Sequence, residues 1–330
     1  MNLKNSITDV HGIEVGHAQD DSALTGCTVI LSRKGAVAGV DVRGGAPGTR
    51  ETDLLNPINL VDKVHAVMLA GGSAFGLDAA SGVMRYLDEK KIGFNTGAAK
   101  VPIVPAAILF DLNIGRADVR PDLEMGYRAC LAASSKVVDE GNVGAGTGAS
   151  VGKLMGAKQA MKSGLGSASI SIGSGVVVGA LAVANTFGDV IDPNTGEIIA
   201  GLRSAKIGPL QIGAPGYFAD TLQMMKTFFG KTVLGFAAHS NTLLGVVAVN
   251  AALTKSEMTK VAQMAQDGVA RSTRPAHTML DGDTVFALAT GGKKVDASTV
   301  GAFAAEALAQ AIVRAVRASH SAGGLPGAAG

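Results

Sequence analysis

The chain has 330 residues, is 47% hydrophobic yet only 4% aromatic with no Trp, contains 45 glycines, and carries a net charge of +2. Such a composition calls for a large core filled by small side chains in closely spaced layers, and its interspersed charges form no basic stripe with interleaved aromatics, which excludes nucleic acid as an expected partner. The mean hydropathy of +0.30 is high, but apolar runs such as residues 175–184 fall short of the roughly 20 residues of a membrane span.

No secretory signal is read in residues 1–17, which are mixed polar, so a cytoplasmic location without membrane contact is expected. Cys27 and Cys130 have no ligand spacing and read as buried thiols in a reducing compartment. In chain order, residues 27–31 and 36–42 are Val-, Ile- and Ala-rich runs separated by Ser32-Arg33-Lys34-Gly35, the pattern of a hairpin. An apolar run at 66–70, the glycine turn Gly71-Gly72-Ser73-Ala74-Phe75-Gly76, and Leu77, Ala80, Met84 and Leu87 at helical spacing predict strand, tight turn and helix. Residues 101–110 read as a strand and 122–133 as a helix weakened by Gly126.

A glycine-rich loop, residues 141–153, precedes two strands near 168–172 and 176–184, the second ending at Asn185. Residues 186–230 are turn-rich and read as a surface excursion. Beyond it a strand from Thr242 to about residue 250 leads into Thr254-Lys255-Ser256-Glu257, a capping box that opens a helix with Met258, Val261, Ala265 and Val269 inward. Asp281-Gly282-Asp283 opens a strand through residue 290, and residues 297–316 form a last helix with Val300, Phe303, Ala307, Ile312 and Val316 at helical intervals. The small-residue tail, 319–330, is expected to fray. No linker separates independent halves, so one layered domain over residues 1–330 is expected.

Several familiar chemistries fail on spacing. The glycine loop ends in Gly152-Lys153, but a phosphate-binding loop needs Gly at Thr147 and Ser or Thr at Leu154, and Gly144, Gly146 and Gly148 alternate too tightly for a dinucleotide fingerprint. The six histidines, His11, His17, His65, His239, His277 and His320, never pair at zinc-ligand spacing. The Gly72-Ser73 turn is one residue too long for a serine-hydrolase elbow. Neither metal nor cofactor is expected. Lys153 sits among small residues, where desolvation lowers a lysine pKa, and Asp281 and Asp283 at i and i+2 can face one way and share a proton.

Taken together, Ile7-Thr8-Asp9-Val10-His11-Gly12-Ile13, Thr25-Gly26-Cys27-Thr28-Val29, Asp41-Val42-Arg43-Gly44-Gly45-Ala46-Pro47-Gly48-Thr49, Gly71-Gly72-Ser73-Ala74-Phe75-Gly76-Leu77, Gly144-Ala145-Gly146-Thr147-Gly148 and Asp281-Gly282-Asp283-Thr284 give the chain its likeness to a known family. It resembles the peptidase family of L-aminopeptidase/D-amidase-esterases and β-aminopeptidases, which also contains the 6-aminohexanoate oligomer endo-hydrolase. The resemblance implies an α+β fold, the four-layer αββα sandwich of the aminopeptidase/ornithine acetyltransferase type. It also implies an inactive precursor that cuts itself before a Ser or Thr, and a homotetramer or larger assembly.

Carried over by motif, Asn241-Thr242 matches the cleavage site, giving an α chain of 1–241 and a β chain of 242–330, and Thr242 matches the nucleophile. Asn185 matches the oxyanion-stabilising asparagine. Lys153, Asp281 and Asp283 match the lysine and acidic pair of the nylon-hydrolase branch, where aminopeptidase members carry Ser and Glu at the two acidic positions. Phe110 stands where both branches have a substrate-side tyrosine, so one hydroxyl is missing. A Thr hydroxyl needs an adjacent base, and a free α-amine with a pKa of about 7.7 to 8.0 serves near neutrality. The expected function is an autoprocessed amide hydrolase for small peptides, amino-acid amides or ω-amino-acid oligomers. An acyltransferase of the ornithine acetyltransferase type and a non-processed binding protein are the alternatives.

Overall fold

The computed structural model describes residues 3–207, 210–216, 218–227 and 241–329; His239, one of the six histidines weighed as zinc ligands, lies outside them. Its main elements are β1 (Glu14–Asp20), β2 (Thr25–Val42), β3 (Lys63–Ala70), α1 (Ala79–Glu89), β4 (Ala106–Ile108), α2 (Leu123–Ala132), β5 (Leu165–Ser171), β6 (Val177–Asn185), β7 (Thr242–Ala251), α3 (Lys255–Ser272), β8 (Thr284–Lys293) and α4 (Ala297–Arg317). Nine strands form one mixed sheet in the order β5-β6-β7-β8-β2-β3-β4 followed by the short pair Thr49–Arg50, with β1 beside β2. The β7/β8 and β3/β4 pairs are parallel.

Strand alternation explains how one sheet makes four layers. Even-numbered Ile30, Ala36 and Ala38 of β2 all lie in one central core, which they share with Val67 and Leu69 of β3, Leu181 and Val183 of β6, Leu244 and Val246 of β7, and Phe286 of β8. The odd-numbered outer face changes neighbours along the strand. Cys27, Val29 and Leu31 pack under α1 and α2, whereas a Cβ at Gly39 would lie 2.3 Å from the Thr259 nitrogen of α3. A strand whose inner face stays central while its two ends serve opposite helical layers must curl over the centre. The sheet therefore folds on itself, with α1 and α2 outside one half and α3 and α4 outside the other. Small residues fill the outer contact: a Cβ at Gly268 of α3 would lie 2.2 Å from the Ala305 carbonyl of α4.

Several expectations change. Residues 27–42 are not a hairpin but part of one strand of 18 residues, Thr25–Val42; Ser32 to Gly35 form the bend, where the register against β3 shifts and Gly35 takes φ +76°. The strand expected at 101–110 is broken, because Pro102 and Pro105 deprive the ladder of donors, although the Ile103 and Pro105 carbonyls still accept from His65 and Met68. Phe303 points outward at 39% exposure while Ala304 takes the core position. The tail does not fray. Leu325 is buried, the Lys162 N–H donates to the Pro326 carbonyl at 2.9 Å, and Ala329 N–H closes on the Ser319 carbonyl at 3.0 Å.

The described part of the 186–230 stretch, which leaves out 208, 209, 217 and 228–230, also departs from a surface excursion. Phe187 and Leu202 are buried with Leu154, Ile212 and Ala219 in a satellite core. Asp189, fully buried, accepts from Leu202 N–H at 2.8 Å and from both the N–H and hydroxyl of Thr221 at 2.7 Å, which ties distant parts of the stretch together. α4 has the length and apolar content of a membrane span, but it is mostly buried, and its Val300, Ala304, Ala307, Leu308 and Ala311 lie in the core shared with α3 and the sheet.

Lys162 anchors the glycine loop. Its ammonium is fully buried and donates to the carbonyls of Gly146, Ala149 and Ser163 at 3.1, 2.9 and 2.5 Å. Desolvation lowers its pKa to about 7, against a smaller raising influence of Asp111. Since the unfolded side chain titrates near 10.4, the unfolded state binds more protons between those values, so Lys162 makes stability rise with pH from about 7 to about 10. Lys162→Met, which orphans three carbonyls, is expected to lower the thermal midpoint most at pH 10. The deficit narrows as pH falls to about 7, as thermal unfolding of both proteins at several pH values will show.

Candidate active site

β6 and β7 run antiparallel with Asn185 directly opposite Thr242. Both residues continue the central-core faces of their strands, Asn185 after Leu181 and Val183, and Thr242 before Leu244 and Val246. Their side chains therefore meet at the rim of the gap between the two halves of the sheet, and both residues are buried.

The orientation of the Asn185 amide follows from its neighbours. Its Oδ1 accepts from the Ser150 N–H at 3.1 Å and from Lys153 Nζ at 2.8 Å, while Nδ2 donates to the Phe110 carbonyl at 3.0 Å. A backbone N–H can only donate and a carbonyl can only accept, so the amide cannot be turned around. Among the described residues the second Nδ2 hydrogen meets no acceptor. Phe110 thus enters the cluster through its backbone carbonyl, a group that any residue supplies. Lys153 also donates to the Asn185 carbonyl at 2.9 Å. Burial lowers its pKa to about 7, with Asp281 and Asp111 acting in the opposite sense.

The turn after α3 supplies the second wall. Asp281 lies beside Asn241 in a parallel bridge, and the Gly282 N–H donates to the Asn241 carbonyl at 2.9 Å. Thr242 Oγ1 donates to that same carbonyl oxygen. Asp283 Oδ1 accepts from the Leu243 N–H at 2.7 Å. The 281–283 backbone and side chains thereby grip the chain on both sides of Thr242. Asp281 accepts from the Phe187 N–H at 3.2 Å, and from the N–H and hydroxyl of Thr278 at 3.1 and 2.5 Å. Burial, then the neighbouring Asp283, raise its pKa to about 6, so Asp281 takes up a proton in mild acid.

The structure gathers Thr242, Asn241, Asn185, Lys153, Asp281, Asp283 and the Phe110 carbonyl into one buried cluster. Sequence reading missed the Ser150 N–H, Thr278, His277 and Asp111. Thr278 lies three residues before Asp281, a spacing that favours a local side-chain bond. Asp111, beside Phe110, accepts from the Gly72 N–H and the Thr25 hydroxyl at 2.7 Å each, and had no such signal. Among the described residues no group of three or more His, Cys, Asp or Glu is placed to hold a metal.

The model for Peptidase family S58 matches residues 5–329. The chain belongs to that family. An uncharacterized aminopeptidase of Mycobacterium leprae is 43% identical, covering 98% of this chain and 92% of its own. The 6-aminohexanoate-oligomer endohydrolase of Kocuria sp. is 30% identical over 94% of this chain and 85% of its own. Among solved structures, the L-aminopeptidase D-Ala-esterase/amidase of Ochrobactrum anthropi, described as a variant of the Ntn hydrolase fold, superposes with a TM-score of 0.70 at 20% identity, over 98% of this chain and 88% of its own. The S58 chain is accordingly a hydrolase of amide bonds on an α+β fold shared with that structure.

Gly282 shows how little room the cluster leaves. A Cβ there would lie 2.7 Å from both Thr242 Oγ1 and the Ala46 carbonyl. Gly282→Ala is expected to displace the Thr242 hydroxyl and lower amide hydrolysis by about 100-fold, the order of loss that a misplacement near 1 Å brings, measured as kcat/KM against the unmodified protein.

Proposed function

We propose that the chain cuts itself between Asn241 and Thr242 and then hydrolyses small peptides, amino-acid amides or ω-amino-acid oligomers through an acyl ester on Thr242. One observation carries this reading: the Asn241 carbonyl oxygen receives both the Thr242 hydroxyl and the Gly282 N–H. A hydroxyl held against the preceding carbonyl is set for attack on its carbon, and an N–H on the oxygen stabilises the charge that then develops. The Thr242 Oγ to Asn241 carbon bond forms, the peptide C–N bond breaks, and the hydroxyl proton passes to the departing nitrogen. Water then hydrolyses the ester, leaving a carboxylate on Asn241 and a free amine and hydroxyl on Thr242.

In the mature form the α-amine, with an ordinary pKa of about 7.7 to 8.0, takes the Oγ proton as Oγ attacks a substrate amide carbon. It returns that proton to the leaving amine, and water releases the acyl group. The spare Nδ2 hydrogen of Asn185 stabilises the oxyanion, and Lys153 with Asp281 and Asp283 holds the surroundings. The named relatives support amide substrates with a free amine or an ω-amino-acid repeat. The lysine and the two aspartates favour the oligomer-hydrolase branch. A homotetramer or larger cytoplasmic assembly completes the proposal.

Intact mass of the purified protein is expected to resolve chains of 1–241 and 242–330. Thr242→Ala is expected to remain whole and inactive toward β-alanyl, D- and L-aminoacyl amides and 6-aminohexanoate oligomers. A single full-length chain after prolonged incubation, or undiminished hydrolysis by Thr242→Ala, would sink the reading.

A further inference from the structure

His277 was not among the residues the motifs singled out, yet it touches Asp283 of the acidic pair through both its backbone and its ring. It reaches Asp283 Oδ2 twice, through its backbone N–H at 3.0 Å and through ring Nδ1 at 2.9 Å. The other oxygen of the same carboxylate holds the Leu243 N–H at 2.7 Å. An ionised carboxylate accepts, so Nδ1 carries the proton. His277 also has φ +56°, a region that residues other than glycine seldom adopt. Its Nε2 is buried with no hydrogen-bond partner among the described residues.

Resting on the reading of Thr242 as nucleophile, we propose that His277 is a positioning residue: its two N–H groups hold the Asp283 carboxylate in the orientation that grips Leu243 and so fixes the main chain of Thr242. The geometry further separates the two reactions. In the precursor Thr242 is held from both sides, by Gly282 on Asn241 and by Asp283 on Leu243. Once the Asn241–Thr242 bond is cut, the first grip no longer restrains Thr242. Strand pairing with β6 and the Leu243–Asp283–His277 chain then remain. His277 therefore weighs more on hydrolysis than on processing.

The test uses full-length His277→Leu, which lacks the side-chain donor, His277→Asn, whose amide can replace the Nδ1 donor, and Thr242→Ala as control. Processing is read by intact mass, folding by thermal unfolding, and kcat and KM on the amide that the unmodified protein turns over fastest. His277→Leu is expected to process, with kcat lowered roughly 10- to 100-fold, the range for a lost hydrogen bond to a charged group, and KM unchanged. His277→Asn is expected to recover most of kcat. Full kcat in His277→Leu, or equal losses in the two variants, overturns the proposal. If His277→Leu does not fold or process, His277→Asn decides: near-normal kcat supports the donor role, and a processed but slow enzyme refutes it. Hydrolysis undiminished in Thr242→Ala refutes the nucleophile itself, whereas an inactive Thr242→Ala beside a fully active His277→Leu refutes only the role of His277.

Discussion

The antiparallel register that sets Asn185 opposite Thr242 is the constraint on which the cluster depends. Side chains in a strand alternate with a period of two, so a slip of one residue in either strand would turn its polar end toward α3 and α4 and push its apolar residues to the wrong layer. Register is held because both faces are filled: Leu181, Val183, Leu244 and Val246 on the central side, Ala180, Ala182, Leu243 and Val247 on the helical side. The same packing that builds the core thereby orients the two residues at its rim.

Small side chains bring backbones close, and closeness leaves peptide groups that need partners away from water. The molecule meets that need with buried charges. Lys162 serves three carbonyls of the glycine loop, Asp189 serves Leu202 and Thr221, and Asp111 serves the Gly72 turn and Thr25. Burial acts on these groups in one direction, against the charged form: it raises the pKa of Asp111 and Asp189 and lowers that of Lys162. Lys153 and Asp281 obey the same rule inside the cluster, and both come to titrate between pH 5 and 8. A desolvated interior thus does two things at once. It turns charged side chains into loop anchors, and it brings the groups around Thr242 into the range where proton transfer is easy near neutrality.

Glycine has a matching part in this design. Gly282 and Gly44 let the 281–283 turn lie against Thr242 and against the 43–47 segment, for a Cβ at Gly44 would be 2.2 Å from the Asp281 carbonyl. The glycine loop at 144–148 has the same purpose: a Cβ at Gly148 would lie 2.3 Å from the Leu24 carbonyl. Close approach of backbone to backbone explains these glycines.

The chain's own residues determined the elements with strong local patterns: the capping box at Thr254 and Glu257, the long helices, the strand that begins at Thr242, and the motifs that mark the family. Those signals are local because hydrophobic period and capping chemistry act within a few residues. Tertiary structure alone decided the rest. Whether Ser32 to Gly35 turn or merely bend depended on the sheet needing one strand in both halves. Whether the tail frays depended on partners more than 150 residues away, at Lys162. Which part of Phe110 matters depended on where the Asn185 amide found an acceptor, and His277 became visible only when a left-handed backbone brought it onto Asp283. Such contacts join residues distant in sequence or turn a side chain against its expected direction, and no period or spacing along the chain records them.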